Sequence, residues 1–218
     1  MILQRLLQLL FPEKCVLCRE LLSKDEMDLC RKCRTEAPRY HRGRGKIRFV
    51  KEYTAAWFYE DQVRESLIRY KFSRARHYAS AYGRAVAMAV EQNLPEEIDL
   101  ITYVPVSPKR KLERGYDQVE LLAKAVSQET GIPMVPLLKK VRDNPPQSGI
   151  DRPEVRRANV LGAYESINND RIRGSSILLL DDIITTGSTV SECARVLQGA
   201  QAKNVYCAAV AVSRNQKQ

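Results

Sequence analysis

ILLLDDIITTGSTV, residues 177–190, is the stretch on which the fold turns. Its first four residues are apolar and include the β-branched Ile177. A short continuous apolar run of this kind fits a strand buried on both faces of a parallel sheet. Asp181 and Asp182 follow, then Thr185, Thr186, Gly187, Ser188 and Thr189, and then VSECARVLQGA with helical spacing. Strand, small-residue loop and helix in that order make a phosphate cradle. Backbone N–H groups at the loop and helix start face the anion, and the helix dipole favours its charge.

The rest of the 218-residue chain accommodates one ordinary domain and an appendage. Apolar residues make up 44% and charged residues 28%, the balance of a globular protein rather than a disordered or membrane-embedded one. Lys and Arg number 36 against 26 Asp and Glu, a net charge of +10. That excess favours polyanions such as nucleic acid, an anionic membrane or phosphate-rich small molecules, and equally a plain basic surface.

The first residues, MILQRLLQLLF, are apolar around Gln4, Arg5 and Gln8. The run is too short to span a bilayer and no small-residue cleavage site follows it. An amphipathic helix over 1–12, docked on the protein, is expected there, with a membrane-surface position as the alternative. The expected location is cytoplasmic, or peripheral at the inner face of the cytoplasmic membrane, where thiols stay reduced.

Cys15 and Cys18 form one CxxC pair and Cys30 and Cys33 a second, with eleven residues between the pairs. Two such pairs complete a tetrahedral four-sulfur site for structural Zn2+, and four protein ligands leave no open position for catalysis. A redox dithiol or simple burial is the alternative. The module is expected over 13–36, too small to bury a core of its own and dependent on metal for its folding, while the body survives metal loss. Residues 37–51, APRYHRGRGKIRFVK, then carry six Lys or Arg and no acid. With Tyr40, His41 and Phe49 interleaved, Arg42, Arg44, Lys46 and Arg48 are candidates for a single-stranded DNA track. A solvated basic linker would read the same way.

From residue 52 to 218 the pattern alternates in the α/β manner. Strands are expected at 53–59, 99–106, in PMVPLLKKV, in ILLLDD and in NVYCAAVAVS, with helices between them. The expected fold is therefore α/β, a doubly wound, mostly parallel sheet. Cys193 and Cys207 fall in apolar patterns and read as core. Ligands on such sheets bind at the carboxyl ends of strands. Two loops meet there: the acid-and-threonine loop, and the cationic VPVSPKRKLERGYDQ (104–118). A sugar with hydroxyls on the acids, one phosphate in the cradle and further phosphate at the cations would satisfy both.

ILLLDDIITTGSTV resembles the 5-phosphoribosyl-1-diphosphate (PRPP) signature of type I phosphoribosyltransferases. The wider chain resembles the ComF family of competence proteins within that superfamily. CxxC…CxxC, YVPVSPKRKLERGYDQVELLA, VRDNPPQSGIDRPEVRRANVLGAY and the PRPP motif with SECARVL occur in that order. The resemblance implies a phosphoribosyltransferase-like domain over 52–218, ribose binding by Asp181 and Asp182, and 5′-phosphate binding by Thr185, Thr186, Gly187, Ser188 and Thr189. It implies a pyrophosphate loop at Val106, Ser107, Pro108, Lys109 and Arg110, with a cis peptide between Val106 and Ser107. A flexible loop is implied at 142–162, where Gln147, Ser148 and Gly149 fit a mobile segment. Arg152, Arg156 and Arg157 would supply charge there, or form a solvated face. Mg2+ would come with PRPP, bound mainly through the ligand's oxygens. Tyr59, Lys71 and Phe72 also recur in the family, with no physical role evident beyond packing.

Two functions remain open. One is a competence-associated protein that binds PRPP with Mg2+ and single-stranded DNA during DNA uptake for natural transformation, working with the helicase-like ComFA. The other is an active phosphoribosyltransferase that transfers the phosphoribosyl group to a nucleobase or amine. No residue stands out as a general base, and the zinc module takes the chain position of the hood that selects the acceptor in catalytic relatives.

Overall fold

The computed structural model describes residues 12–41, 46–95, 97–142 and 160–214. In chain order its first elements are helix α1 (Arg31–Glu36), strand β1 (Tyr53–Phe58), helices α2 (Asp61–Phe72) and α3 (Tyr78–Asn93) and strand β2 (Leu100–Tyr103). Helices α4 (Pro108–Arg114) and α5 (Gln118–Thr130) follow, then the short strands β3 (Leu138–Lys140) and β4 (Tyr164–Ser166). A helical turn α6 (Asn169–Ile172), strand β5 (Ser176–Ile184), helix α7 (Ser188–Gly199) and strand β6 (Asn204–Val212) complete the order.

Strands β1, β6, β5 and β2 lie side by side in that order, every pairing parallel. The apolar run of the signature is thus an inner strand, buried on both faces as its composition predicts. Successive side chains of a strand point to opposite faces. Leu178 and Leu180 accordingly pack with Tyr70, Tyr82 and Leu122 from α2, α3 and α5, whereas Ile177 and Leu179 pack with Cys193 and Leu197 from α7. Cys193 and Cys207 are fully buried in this second layer, as expected of core residues.

On the first face α3 and α5 approach so closely that a Cβ on Gly83 would lie 2.4 Å from that of Ala125. Glycine is required there by contact, not by backbone angle. The four-cysteine segment is seated on the same face. Val16 and Leu17 are buried among α2 and α3 residues. Ser66 Oγ donates to the Val16 carbonyl, and Arg69 donates to the Leu17 carbonyl at 2.5 Å. Arg84 on α3 makes a two-point ion pair with Asp28, both bonds at 2.7 Å.

Three expectations change. The strand foreseen at 99–106 stops at Tyr103, because Pro105 lacks an N–H for the ladder. The cationic segment beyond it is helical over Pro108–Arg114, with Ser107 accepting the Arg110 N–H as N-cap and Pro108 in the first turn. PMVPLLKKV is not one strand. Met134 makes a lone parallel bridge to Ile101, Pro136 interrupts, and Leu138–Lys140 pairs antiparallel with Tyr164–Ser166 in a separate ribbon.

Candidate functional site

The carboxyl ends of β2 and β5 open into a cavity of about 370 Å³ lined by Asp181 to Val190, Val104 to Val106, Arg110, Arg114, Gln118, Lys71, Lys140 and Tyr164. Both loops singled out in the sequence meet at this cavity, from segments some seventy residues apart in the chain.

Strand parity gives the two carboxylates different neighbours. Asp182 has the parity of Leu178 and Leu180 and faces α2 and α5. Lys71, in the last turn of α2, places Nζ 2.8 Å from Asp182 Oδ1, and Gln118 Nε2 donates to Asp182 Oδ2 at 2.9 Å. Asp181 has the opposite parity and accepts the Asp182 N–H at 2.8 Å. Burial first, and the charge of Asp182 second, push the Asp181 carboxyl up to about 8. Asp181 and Asp182 are 9% and 4% exposed, so neither is a solvated surface acid.

The turn after β5 begins helix α7, where Gly187 is the N-cap at φ +72° and brings no capping side chain. A Cβ there would sit in the left-handed region and 3.1 Å from Ile47 Cγ1, so both conformation and space call for glycine. Thr186 Oγ1 and Ser188 Oγ lie 2.9 Å apart across the turn. Thr185 and Thr189 line the same cavity. Hydroxyls and the amino end of a 12-residue helix together suit a phosphate.

On the opposite wall, Arg110 and Arg114 of α4 face the cavity. Asp117 joins the loops on this side: it accepts the Val106 N–H at 3.1 Å and caps α5 through Val119 and Glu120. The Val106–Ser107 peptide is trans, since the described residues contain no cis bond. In this geometry Ser107 is extended and caps α4 directly. Ser107 is buried, and Pro108 and Lys109 are exposed outside the lining. Lys71 is the site residue that sequence reasoning missed as a functional group. A lone lysine near a helix end carries no local signal, and its partner Asp182 lies 111 positions away.

The sulfur atoms of Cys15, Cys18, Cys30 and Cys33 all lie within 4.8 Å of one another, with Cys18 and Cys30 at 3.6 Å. Tetrahedral Zn–S bonds of about 2.3 Å separate sulfurs by roughly 3.8 Å, so this all-thiol donor set fits a structural zinc. Cys33 Sγ also reaches Gln62 Oε1 at 3.0 Å, which ties the cluster to α2.

The basic stretch does not present its rings as the single-strand reading requires. Tyr40 is 9% exposed, stacked on Tyr53 and edge-on to Phe58, and Phe49 is partly buried beneath the Arg48 guanidinium. Core packing claims Tyr40 because residues 38–40 run along β1, with Tyr40 N–H donating to the Ala56 carbonyl, and Phe49 packs against the α7-side core. His41, Lys46 and Arg48 are exposed. Arg42 and Arg44 lie outside the described residues. So do Gln147, Ser148, Gly149, Arg152, Arg156 and Arg157 of the expected flexible loop, and residues 1–11 of the expected N-terminal helix. No helix among the described residues is long and apolar enough to cross a membrane.

Comparison with known proteins gives two family matches. Residues 120–218 match the phosphoribosyl transferase domain, and residues 6–44 match the double zinc ribbon domain. Competence protein ComFC of Bacillus subtilis is 26% identical over 204 residues, covering 88% of this chain and 82% of that protein. Competence protein F of Haemophilus influenzae is 30% identical over 139 residues, 60% of this chain and 59% of its own length. Among solved structures, the glutamine PRPP amidotransferase of B. subtilis aligns at 20% identity and a TM-score of 0.44, over 64% of this chain and 30% of that one.

Proposed function

Because this chain is a ComFC-like protein of the phosphoribosyltransferase superfamily, with an N-terminal zinc ribbon, we propose that its cavity binds PRPP with Mg2+ in the handling of DNA during competence. One observation carries the reading: both acids, the threonine-glycine turn and two arginines converge on one cavity. Asp181 and Asp182 would accept the ribose hydroxyls, and Thr185 to Thr189 the 5′-phosphate. From the loop Val106 to Arg110, Val106 and Arg110 line the cavity, and with Arg114 they would take the diphosphate. Mg2+ would neutralise the diphosphate, held mainly by the ligand's oxygens with the carboxylates nearby.

Single-stranded DNA is the proposed macromolecular ligand, with a ComFA-like helicase as partner. The net charge of +10 and the names of the competence relatives support this. With Tyr40 buried and Phe49 half-buried, the proposed contact is chiefly to phosphates through Arg42, Arg44, Lys46 and Arg48. Binding should then fall steeply with salt and depend little on sequence.

Calorimetric titration tests the pocket. PRPP should bind only with Mg2+, and Asp181→Asn with Asp182→Asn should weaken it by about tenfold or more, since a hydrogen bond to the charged Asp182 acceptor alone contributes roughly 1.5–3 kcal/mol. Wild-type affinity in the double variant would dismiss the assignment. The second reading, an active transferase, is favoured by the presence of the whole run Asp181 to Thr189 at the cavity. Pyrophosphate release from PRPP on adding nucleobases or amines would establish it.

A further inference from the structure

Both oxygens of Asp182 are engaged within the protein, by Lys71 Nζ at 2.8 Å and by Gln118 Nε2 at 2.9 Å. The engagement occurs inside a cavity, where the Lys71 side chain is only 20% exposed and that of Asp182 6% exposed. The remaining polar atom of this group, Gln118 Oε1, is buried with no partner, on a residue 3% exposed that lines the same cavity. A buried acceptor left unsatisfied is costly, and here it marks a place for a donor that arrives with a ligand. The ammonium meanwhile stands where the Asp182 carboxylate, with Asp181 beside it, would otherwise attract a cation.

We propose that Lys71 is the resident counter-cation of the Asp181–Asp182 pair: it excludes free divalent metal from the ligand-free site and moves onto the ligand's phosphate when a metal-bearing sugar phosphate enters. The proposal deepens the reading of the cavity as a metal–sugar phosphate site and rests on it for the second half of the movement. The exclusion itself needs no ligand. A positive charge in hydrogen-bond contact with Asp182 opposes a second cation on the same carboxylates at close range, where partial burial keeps screening weak. Entry of the ligand supplies sugar hydroxyls for Asp182 and for Gln118 Oε1, and phosphate charge for the released ammonium. Metal is therefore admitted as a complex with the ligand and not alone.

The experiment uses Mn2+ alone, read by the electron paramagnetic resonance signal of the free ion, on the full zinc-loaded chain. Wild type should show no Asp182-dependent Mn2+ site. Lys71→Met should gain one, at least about tenfold tighter than any site in wild type, and Lys71→Met with Asp182→Asn should lose it again. Lys71→Arg keeps the charge and should exclude Mn2+ as wild type does. Should the methionine variant fold poorly by circular dichroism, Lys71→Gln replaces it, since its amide can still donate to Asp182. Equal Mn2+ affinity in wild type and the neutral variants would overturn the proposal, as would a tight Asp182-dependent site in wild type. PRPP is added only in a final arm. If exclusion is seen but PRPP does not bind, the counter-cation stands and the ligand assignment falls.

Discussion

Replacing Gly83 by alanine would place a methyl carbon 2.4 Å from Ala125 Cβ and 3.0 Å from its carbonyl carbon. Carbon atoms settle at about 3.5–4.0 Å, so α3 and α5 must part by roughly 1 Å or more along this contact. Overpacking of this kind costs about 1–3 kcal/mol. Alanine recovers roughly 0.5–1 kcal/mol by its better helix propensity. The net expectation is a loss of about 1–2 kcal/mol, or about 2–8 °C in melting temperature for a chain of this size. Scanning calorimetry measures it. The exchange Gly83→Ala with Ala125→Gly moves the methyl to the other helix and should recover most of the loss. The reasoning fails if Gly83→Ala melts at or above wild type, or if the exchange is no more stable than the single variant. The disturbance should also reach the cavity, because α5 begins at Gln118, which holds Asp182.

Elemental analysis should find one zinc per chain. Chelation should lower the melting temperature of the whole chain, since Val16 and Leu17 belong to the same core as Tyr70 and Tyr82; an unchanged melting point would contradict that shared core. Asp181 gives a pH dependence of defined sign. The folded chain keeps its proton up to about pH 8, whereas the unfolded chain loses it near the ordinary value of 3.8, so this group's contribution falls as pH rises between them. Urea unfolding at a series of pH values should show a shallower slope for Asp181→Asn, and an identical slope would count against the buried acid.

Much of this molecule was legible from short stretches. The run 177–190 announces a buried strand, its turn and its helix because burial on both faces, small residues and helical spacing are local properties. The cysteine pairs announce their cluster for the same reason: spacing alone brings thiols together. Lys71 was opaque, because its meaning comes from Asp182 across the fold. Tyr40 and Phe49 misled, since an aromatic ring among arginines looks the same in sequence whether it waits for a base or fills a core. The helix at Pro108–Arg114 was hidden behind its charge, although Ser107 before Pro108 is a readable helix start.

Helix α2 is a shared wall. Ser66 and Arg69 hold the backbone of the zinc ribbon, and two residues after Arg69 the same helix delivers Lys71 to Asp182. The molecule therefore cannot be dissected cleanly at the end of its cysteine segment. A truncation that discards residues 12–36 removes the Val16 and Leu17 carbonyls from Ser66 and Arg69, exposes the apolar side of α2, and loosens the helix that presents the lysine. A fragment built to isolate the sheet and its cavity would carry a damaged cavity, and its failure to bind would say nothing about the intact chain.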